Sequence, residues 1–381
     1  MYGMIKVYDH NIIAINQSNS TIIVRDRKDI HIIDLKICAD NFKKEYGDSN
    51  GKCVGDRNAE GKYFCFHTSG INTIIYFKRN YICNLFGKKV FFGNSGAEAN
   101  ECAIKVARKY GSDKKGKDFN VIVTLKNSFH GRTLTTLSAT GQDKFHELFQ
   151  PLTAGFAYAT ANDLESVKAV VKANKTCAVM IECVQGEGGV IALDKDFVKG
   201  VRALCDSEDI LLIVDEVQTG NGRTGKLYAY MNYDIMPDVV TTAKGLGGGL
   251  PIGCCMMNSK TENVLGFGDH GSTYGGNPVC SAGAISVIER IDEHLLNEVN
   301  EKSQYIFNEL NGAKGVESVS GMGLMIGIKT TRPAKEIIAE CIENGVLCLS
   351  AKDKVRLLPA LNIGFETLKK AVAIIKSACA K

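Results

Sequence analysis

The chain has 381 residues, of which 45% are hydrophobic, and this size and composition predict a globular α/β enzyme with one large and one smaller folded unit. Its formal net charge is +4 and its Lys and Arg residues are scattered, which argues against a nucleic-acid partner. No apolar run approaches the roughly 20 residues of a bilayer span, and no secretory signal is recognisable, so we expect a cytoplasmic protein without a membrane partner.

Early in the chain, short β-rich runs such as "STIIVRDRKDIHIIDL" predict strands bounded by polar turns. From residue 89 the pattern becomes apolar strand, glycine-containing loop and helix, repeatedly. "KKVFFGNSGAEANECAIKVARKYG" predicts a strand through Phe92, then a loop, then a helix that ends at Gly111. The apolar positions of this helix are Ala99, Ala103, Val106 and Ala107.

Three further segments place a buried-type strand directly before polar or glycine-rich residues: "DFNVIVTLKNSFHGRT", "TCAVMIECVQGEGG" and "DILLIVDEVQTGNGRTG". Such apolar runs are typical of a parallel sheet covered on both faces, whose ligands bind at the carboxyl ends of the strands. From about residue 290, an amphipathic helix ("ISVIERIDEHLLNEVNEKSQYIFNELN"), the run "GMGLMIGIKT" and a final helix predict a second α+β layer.

The fourteen cysteines are spread over the chain, and several, such as Cys177, Cys183 and Cys280, lie in apolar or small-residue runs. In a chain of this length we therefore expect reduced, buried thiols rather than a disulfide framework. No Cys-x-x-Cys pair occurs and the seven histidines are isolated, so we expect no metal site.

Three features carry the chemistry. Asp215 ends a buried strand in "LLIVDEVQ", where a carboxylate needs a partner: a salt bridge, a helix cap, a metal ion or a cofactor. "GNSGAEAN" offers backbone N–H groups at a helix N-terminus, which suits a phosphate but also ordinary capping. Lys244 in "TTAKGLGGGLPIG" has no charged neighbour between Thr241 and Ser259.

A desolvated lysine, a carboxylate at a ring nitrogen and a phosphate cradle are what pyridoxal 5'-phosphate requires. All three occur here at predicted strand or loop positions. An alternative is "GNGRTGKL" as a nucleotide-binding P-loop, but Leu227 stands where that loop needs Ser or Thr.

Six motifs in order make the chain similar to the class III, fold type I pyridoxal-phosphate aminotransferases, and within them to the acetylornithine aminotransferases: "FFGNSGAEANECAIKVARKY", "FHGRT", "IECVQGEGGV", "LLIVDEVQTGNGRTG", "AKGLGGGLPIG" and "GDHGSTYGGNP". The resemblance implies a large domain (56–290) with a mainly parallel central sheet flanked by helices. It also implies a smaller α+β domain built from an N-terminal segment (1–55) and a C-terminal one (291–381).

The resemblance also implies roles for the cofactor-site residues. Lys244 would bind the cofactor covalently and move the proton between Cα and C4′, and Asp215 would pair with the pyridinium nitrogen. Ser95 would shape the phosphate loop, and Gly96 and Ala97 would donate N–H groups to the phosphate. The remaining cofactor contacts would be Phe129 stacked on the ring, Glu182 and Gln218 at the ring hydroxyl, His130 and Val217 beside the ring, and Thr273 reaching the phosphate of the neighbouring subunit of a homodimer.

For the substrates, the resemblance implies an amino donor, most closely N2-acetylornithine, and 2-oxoglutarate. Arg132 would bind a substrate carboxylate, and Arg356 would bind the second carboxylate of the dicarboxylate partner. Glu187 would neutralise Arg356 when the cationic or amide-bearing amino donor is present, and Ser272 would contact substrate. Ornithine, succinylornithine and 4-aminobutyrate remain alternative donors.

The N-terminal segment departs from the family pattern. Asp29 stands where a glycine is expected, and "FHTSGINTIIYFKRN" keeps only His67, Thr68 and Ser69. Real divergence and a disturbed reading frame both explain this loss of match. A pyridoxal-phosphate-binding protein without turnover is therefore the rival hypothesis from another functional class.

Overall fold

The computed structural model describes residues 89–381 in full and, before them, the backbone of five strands only. Asp29 and His67–Ser69 lie outside the described residues. β1 pairs antiparallel with β5, and β2, β3 and β4 form an antiparallel meander, which confirms the strands predicted from "STIIVRDRKDIHIIDL". The five strands are β1 Met4–Val7, β2 Asn11–Asn16, β3 Thr21–Arg25, β4 Ile30–Asp34 and β5 Lys62–Cys65.

A seven-stranded sheet forms the centre of the described chain, in the order β6-β14-β13-β12-β9-β7-β8. Only β14 runs antiparallel to its neighbours in this sheet, so the predicted mainly parallel sheet is confirmed. β10 and β11 form a separate hairpin. The strands are β6 Lys89–Gly93, β7 Val121–Leu125, β8 Phe156–Ala159, β9 Thr176–Ile181, β10 Val184–Gln185, β11 Ile191–Ala192, β12 Leu211–Asp215, β13 Val239–Thr242 and β14 Gly253–Met257.

Both faces of this sheet are buried. Alternate residues of β12 point to opposite sides: Leu212 and Val214 join one apolar cluster, whereas Leu211 and Ile213 join the other. This alternation follows from the two-residue repeat of a strand, and it explains why the strand reads as a continuous apolar run. The helices associated with the sheet are α1 Gly96–Lys115, α2 Leu134–Ala139, α3 Leu164–Ala173, α4 Lys195–Ser207 and α5 Pro278–Ile288.

Helix α1 runs past its predicted end. The prediction that it stops at Gly111 is wrong, because the helix continues to Lys115 and Gly116 follows its last turn. Gly111 is a packing glycine instead: a Cβ there would lie 2.2 Å from the carbonyl oxygen of Phe119. The missing side chain therefore lets the helix approach the chain that leads into β7.

A second sheet, wholly antiparallel, forms near the C-terminus in the order β15-β16-β18-β17. The prediction of a single amphipathic helix before this sheet is wrong in one respect. The segment forms two helices, α5 and α6, and Asp292 caps the N-terminus of α6. The added elements are α6 Glu293–Leu310, β15 Val316–Met322, β16 Met325–Thr330, α7 Ala334–Glu343, β17 Leu349–Ala351, β18 Lys354–Leu357 and α8 Phe365–Ala380.

The loop "GNGRTGKL" lies between β12 and β13 and contacts the loops of the second sheet. Arg223 donates hydrogen bonds from Nη1 to the carbonyl oxygens of Leu324 (3.1 Å) and Pro359 (2.6 Å). This contact gives the arginine of the loop a structural role that needs no nucleotide. Each cysteine within residues 89–381 is buried, as expected. In the same part of the chain, no helix combines the length and apolarity needed to cross a membrane.

Candidate active site

Asp215 lies at the carboxyl end of β12 and is only 3% exposed. Its Oδ2 accepts hydrogen bonds from Asn100 Nδ2 and His130 Nδ1, both at 2.8 Å, and its Oδ1 accepts the N–H of Val217 at 3.0 Å. An ionised carboxylate offers about four acceptor positions. Three donors thus offset the desolvation that the sequence implies and leave an acceptor position for a further group.

His130 is buried beside Asp215. Burial opposes its protonation, but the hydrogen bond to Asp215 and the charges of Asp215 and Glu182 outweigh burial and raise the pKa of His130. Its Nε2 has no hydrogen-bond partner among the described residues. A buried ring nitrogen without a partner is unusual and is a feature of ligand-facing groups.

Lys244 follows β13 and begins a short 3₁₀ turn, Lys244–Gly247. Its φ is +47°, a conformation that costs energy in a non-glycine residue and that recurs at functional sites. Part of the residue is exposed, but the protein around the amine desolvates it and lowers the pKa of Lys244, against the opposing charges of Asp215 and Glu182. A lysine that loses its proton more easily is a better nucleophile.

The strands bring Lys244 and Asp215 to one place. β12 and β13 pair in parallel with Asp215 opposite Thr241, three residues before Lys244. Asn221 Nδ2 stabilises the turn that begins at Lys244 by donating to Thr242 Oγ1 (3.0 Å) and to the carbonyl oxygen of Ala243 (3.1 Å).

The segment predicted to bind a phosphate lies at the N-terminus of α1. Ser95 caps the helix by accepting the N–H of Glu98. The N–H groups of Gly96 and Ala97, in the first turn of the helix, have no acceptor among the described residues. A Cβ on Gly96 would lie 2.6 Å from Val217 Cγ1. This close approach brings the helix N-terminus, with its partial positive charge, next to the strand end that carries Asp215.

Glu182 directly follows β9 and is buried. Burial raises the pKa of Glu182 to about 7, and its Oε2 accepts the N–H of Phe129 at 2.9 Å. The Phe129 ring meets Phe145 edge-on, with the ring centroids 5.8 Å apart. Gln218 follows β12, and its Oε1 is buried without a hydrogen-bond partner among the described residues.

Arg356 and Glu187, which the resemblance links, form an ion pair with Nη1 and Oε1 2.6 Å apart. Arg356 lies on β18 of the second sheet with a side chain 8% exposed, whereas Glu187 lies between β10 and β11 and is about one-third exposed. The pair therefore links the second sheet to the loop of the β10–β11 hairpin.

The remaining predicted site residues are Arg132 and Ser272, expected to bind substrate, and Thr273, expected to reach the partner subunit's phosphate site. Arg132 is exposed, with its guanidinium carbon 5.9 Å from the ring centroid of Phe129. Ser272 Oγ accepts a hydrogen bond from Asn94 Nδ2 (3.2 Å) beside the phosphate loop. Thr273 is exposed and makes no hydrogen bond within the described part of the chain.

Several buried polar residues escaped the sequence analysis. Asn100 and Thr241 complete the surroundings of Asp215, and Asn221 supports the lysine turn. Glu216 organises the following loop by accepting from Thr219 Oγ1 (2.5 Å) and from the N–H of Tyr230 (2.9 Å). An Asn inside an otherwise apolar helix face was the one available signal, since Asn is unfavourable in helix interiors.

Comparison with known proteins agrees with this geometry. Residues 52–379 match the sequence model of the class-III aminotransferases. An acetylornithine aminotransferase of Haemophilus ducreyi is 50% identical over 290 residues, which cover 76% of this chain and 74% of that protein.

Two crystal structures extend the comparison to the fold. The N-acetylornithine aminotransferase of Stenotrophomonas maltophilia is 34% identical with a TM-score of 0.67, over 78% of this chain and 76% of that one. The ornithine aminotransferase of Toxoplasma gondii is 30% identical with a TM-score of 0.75, over 78% and 74%. The chain therefore belongs to the class-III aminotransferases, which are fold type I, pyridoxal-phosphate-dependent enzymes.

Proposed function

We propose that the protein transfers the amino group of N2-acetylornithine to 2-oxoglutarate, giving N-acetylglutamate 5-semialdehyde and glutamate, in arginine biosynthesis. The observation that carries the proposal is the convergence of Lys244 and Asp215 at the ends of two paired strands. The relatives named acetylornithine aminotransferase, at 44% to 50% identity, support this choice of donor.

The described residues fit pyridoxal phosphate. Asp215 has an acceptor position left for a ring N–H, Gln218 has an unpartnered buried oxygen, and Gly96 and Ala97 offer N–H groups at a helix N-terminus. When bound, this cofactor supplies a ring that withdraws electrons from the carbon bearing the amino group. Phe129 would cover one face of the ring, with His130 and Val217 beside it, and Ser95 would keep the phosphate loop in shape.

Each residue of the site would then have its own role in the reaction. Lys244 would hold the cofactor through Nζ and, once released by the substrate amine, carry a proton on that nitrogen. Asp215 would keep a negative charge opposite the ring nitrogen, and Glu182 would lie on the hydroxyl side. Arg132 would bind a substrate carboxylate, with Ser272 close by, and Arg356 would bind the second carboxylate of 2-oxoglutarate whenever Glu187 releases it.

The assembly and domain boundaries belong to the same proposal. The seven-stranded sheet falls within 56–290 and the four-stranded sheet within 291–381, which supports a large and a small domain, with 1–55 joining the latter. Exposed Thr273 supports a homodimer in which it reaches the partner's phosphate site. We also propose a cytoplasmic location, as for a biosynthetic enzyme.

The visible absorption spectrum of the purified protein tests this function. We expect a band from lysine-bound pyridoxal phosphate, and its loss when N-acetylornithine is added without 2-oxoglutarate. Lys244→Ala should lack the band and lose turnover by several orders of magnitude, about 10⁴-fold or more, because nucleophile and proton carrier disappear together. Lys226→Ala, which removes an exposed lysine, is the matched control and should behave like the wild type.

Free ornithine is the second candidate donor, because the chain superimposes well on an ornithine aminotransferase. The same spectral assay compares the two amines directly. Faster bleaching by ornithine would replace N-acetylornithine as the donor, whereas a band that neither amine bleaches would favour a binding protein without turnover.

A further inference from the structure

Asn100 is a buried amide in the first turns of α1, facing the sheet and only 1% exposed. Its Nδ2 donates to Asp215 Oδ2 (2.8 Å) and to the carbonyl oxygen of His130 (2.7 Å), and its Oδ1 accepts from Thr241 Oγ1 (2.6 Å). Both N–H groups and the carbonyl oxygen of the amide are thus used. Three such bonds offset the cost of an Asn inside a helix.

Asp215, His130 and Thr241 together hold this amide in one orientation. The hydroxyl of Thr241 is the donor to Asn100 Oδ1, because the two N–H groups of the amide already face oxygen acceptors. A flipped amide would turn its oxygen toward the carboxylate of Asp215 and the carbonyl of His130, and both contacts would be repulsive. The two acceptors, Asp215 Oδ2 and the carbonyl oxygen of His130, therefore select the orientation in which Asn100 donates to Asp215, and the hydroxyl of Thr241 adds a third bond that holds the amide there.

Asn100 and His130 contribute differently to Asp215. Both bind Oδ2, but the imidazole changes its charge with pH and the amide does not. The N–H of Val217 holds the other oxygen. Asn100 is consequently the side-chain donor whose bond to Asp215 is the same at every pH.

We propose that Asn100, held by its hydrogen bond from Thr241, is a positioning residue that fixes the carboxylate of Asp215 in the orientation from which it would bind the ring nitrogen of pyridoxal phosphate. This inference rests on the proposed role of Asp215. Without the amide, only the hydrogen bonds from His130 and Val217 would hold the carboxylate, and its orientation would be less fixed. The cofactor would then bind more weakly and react more slowly.

The test uses Asn100→Ala and Thr241→Val. Thr241→Val keeps the shape of the side chain and removes only its hydroxyl, so it carries the test if Asn100→Ala does not fold. Thr124→Val is the matched control, since Thr124 is equally buried in the same sheet and its hydroxyl has no partner among the described residues.

Four quantities are measured: the dissociation constant of pyridoxal phosphate by titration of the apoprotein, the pH midpoint of the visible band, kcat, and KM. For Asn100→Ala we expect about a tenfold weaker cofactor affinity, a shifted pH midpoint and a lower kcat with KM for N-acetylornithine nearly unchanged. Thr241→Val should move the same quantities in the same direction by about threefold, and Thr124→Val should move none.

A lower melting temperature of the apoprotein with unchanged cofactor affinity and pH midpoint would overturn the inference, because Asn100 would then only pack α1 on the sheet. The proposed function fails separately, through a wild-type protein that shows no visible band or no reaction with either amine. The two failures are therefore distinguishable in one set of measurements.

Discussion

Two charged centres of the site are held in different ways. The carboxylate of Asp215 receives three hydrogen bonds from three separate elements, and two of the donors are uncharged. The guanidinium of Arg356 has a single ion pair, to the partly exposed Glu187, and its Nε is buried without a partner in the described part of the chain.

This difference matches what transamination demands of each centre. In the proposed function, Asp215 faces the cofactor and must keep one position through both halves of the reaction, and several short bonds would give it that. Arg356, in its proposed role, must serve a dicarboxylate in one half and a different side chain in the other. One replaceable ion pair would leave Arg356 able to exchange Glu187 for a substrate carboxylate.

The largest effect is expected from a substitution of Asp215, the centre held by three hydrogen bonds. Asp215→Asn removes the negative charge opposite the ring nitrogen but keeps an oxygen that accepts from Asn100 and His130. We expect kcat to fall by about 10²- to 10³-fold, with the fold retained, measured as single-turnover rates with saturating cofactor. Asp238→Asn, a buried carboxylate bound to Arg202 where β13 begins, is the control: it should lower stability and leave kcat per loaded site unchanged. Equal kcat in wild type and Asp215→Asn would make Asp215 a purely structural residue.

An intermediate effect concerns Glu182, the buried neighbour of this centre. Since its native pKa is about 7 against an ordinary 4.5, the folded protein holds a proton between these values that the unfolded chain has released. The free energy of unfolding therefore falls as pH rises through this window, and the penalty is complete above pH 7. Glu182→Gln keeps an oxygen for the N–H of Phe129 and removes the penalty, so the variant should gain about 2 kcal/mol relative to wild type between pH 5 and pH 8.

Denaturant unfolding of the apoprotein at several pH values measures this difference. Glu165→Gln, a change of an exposed carboxylate on α3, should run parallel to the wild type and serves as the control. A Glu182→Gln curve that also runs parallel would show that Glu182 is ionised throughout the window.

The comparison also shows what the sequence could predict. The parallel sheet, its strand ends and the side chains at those ends follow from apolar runs bounded by glycines, because such runs have few other structures open to them. The class-III family and its cofactor were predicted from ordered motifs and are confirmed. The residue roles at the site remain predictions.

Contacts between distant segments could not be predicted in the same way. Asn100 meets Asp215 across 115 positions, and Thr241 meets Asn100 across 141. Neither residue type signals its partner, because one Asn in a helix or one Thr in a strand suits many environments. The end of α1 was misplaced for a similar reason: whether a glycine ends a helix or packs against another strand depends on what lies opposite, and at Gly111 that is the chain around Phe119.

The smallest effect is expected from weakening the ion pair of Arg356 with Glu187. Glu187→Gln leaves Arg356 a neutral acceptor in place of a charged one, so Arg356 becomes freer to bind the second carboxylate of glutamate or 2-oxoglutarate. We expect the ratio of kcat/KM for glutamate to that for N-acetylornithine to rise by roughly 3- to 10-fold, a modest change because Glu187 is partly exposed and its charge is screened. Asp353→Asn removes another ion pair of the same sheet, with Lys329, and should leave the ratio unchanged. If the ratio stays constant in Glu187→Gln as well, the ion pair only joins the second sheet to the β10–β11 hairpin, and Arg356 differs from Asp215 in its structural contacts but not through an exchange of substrates.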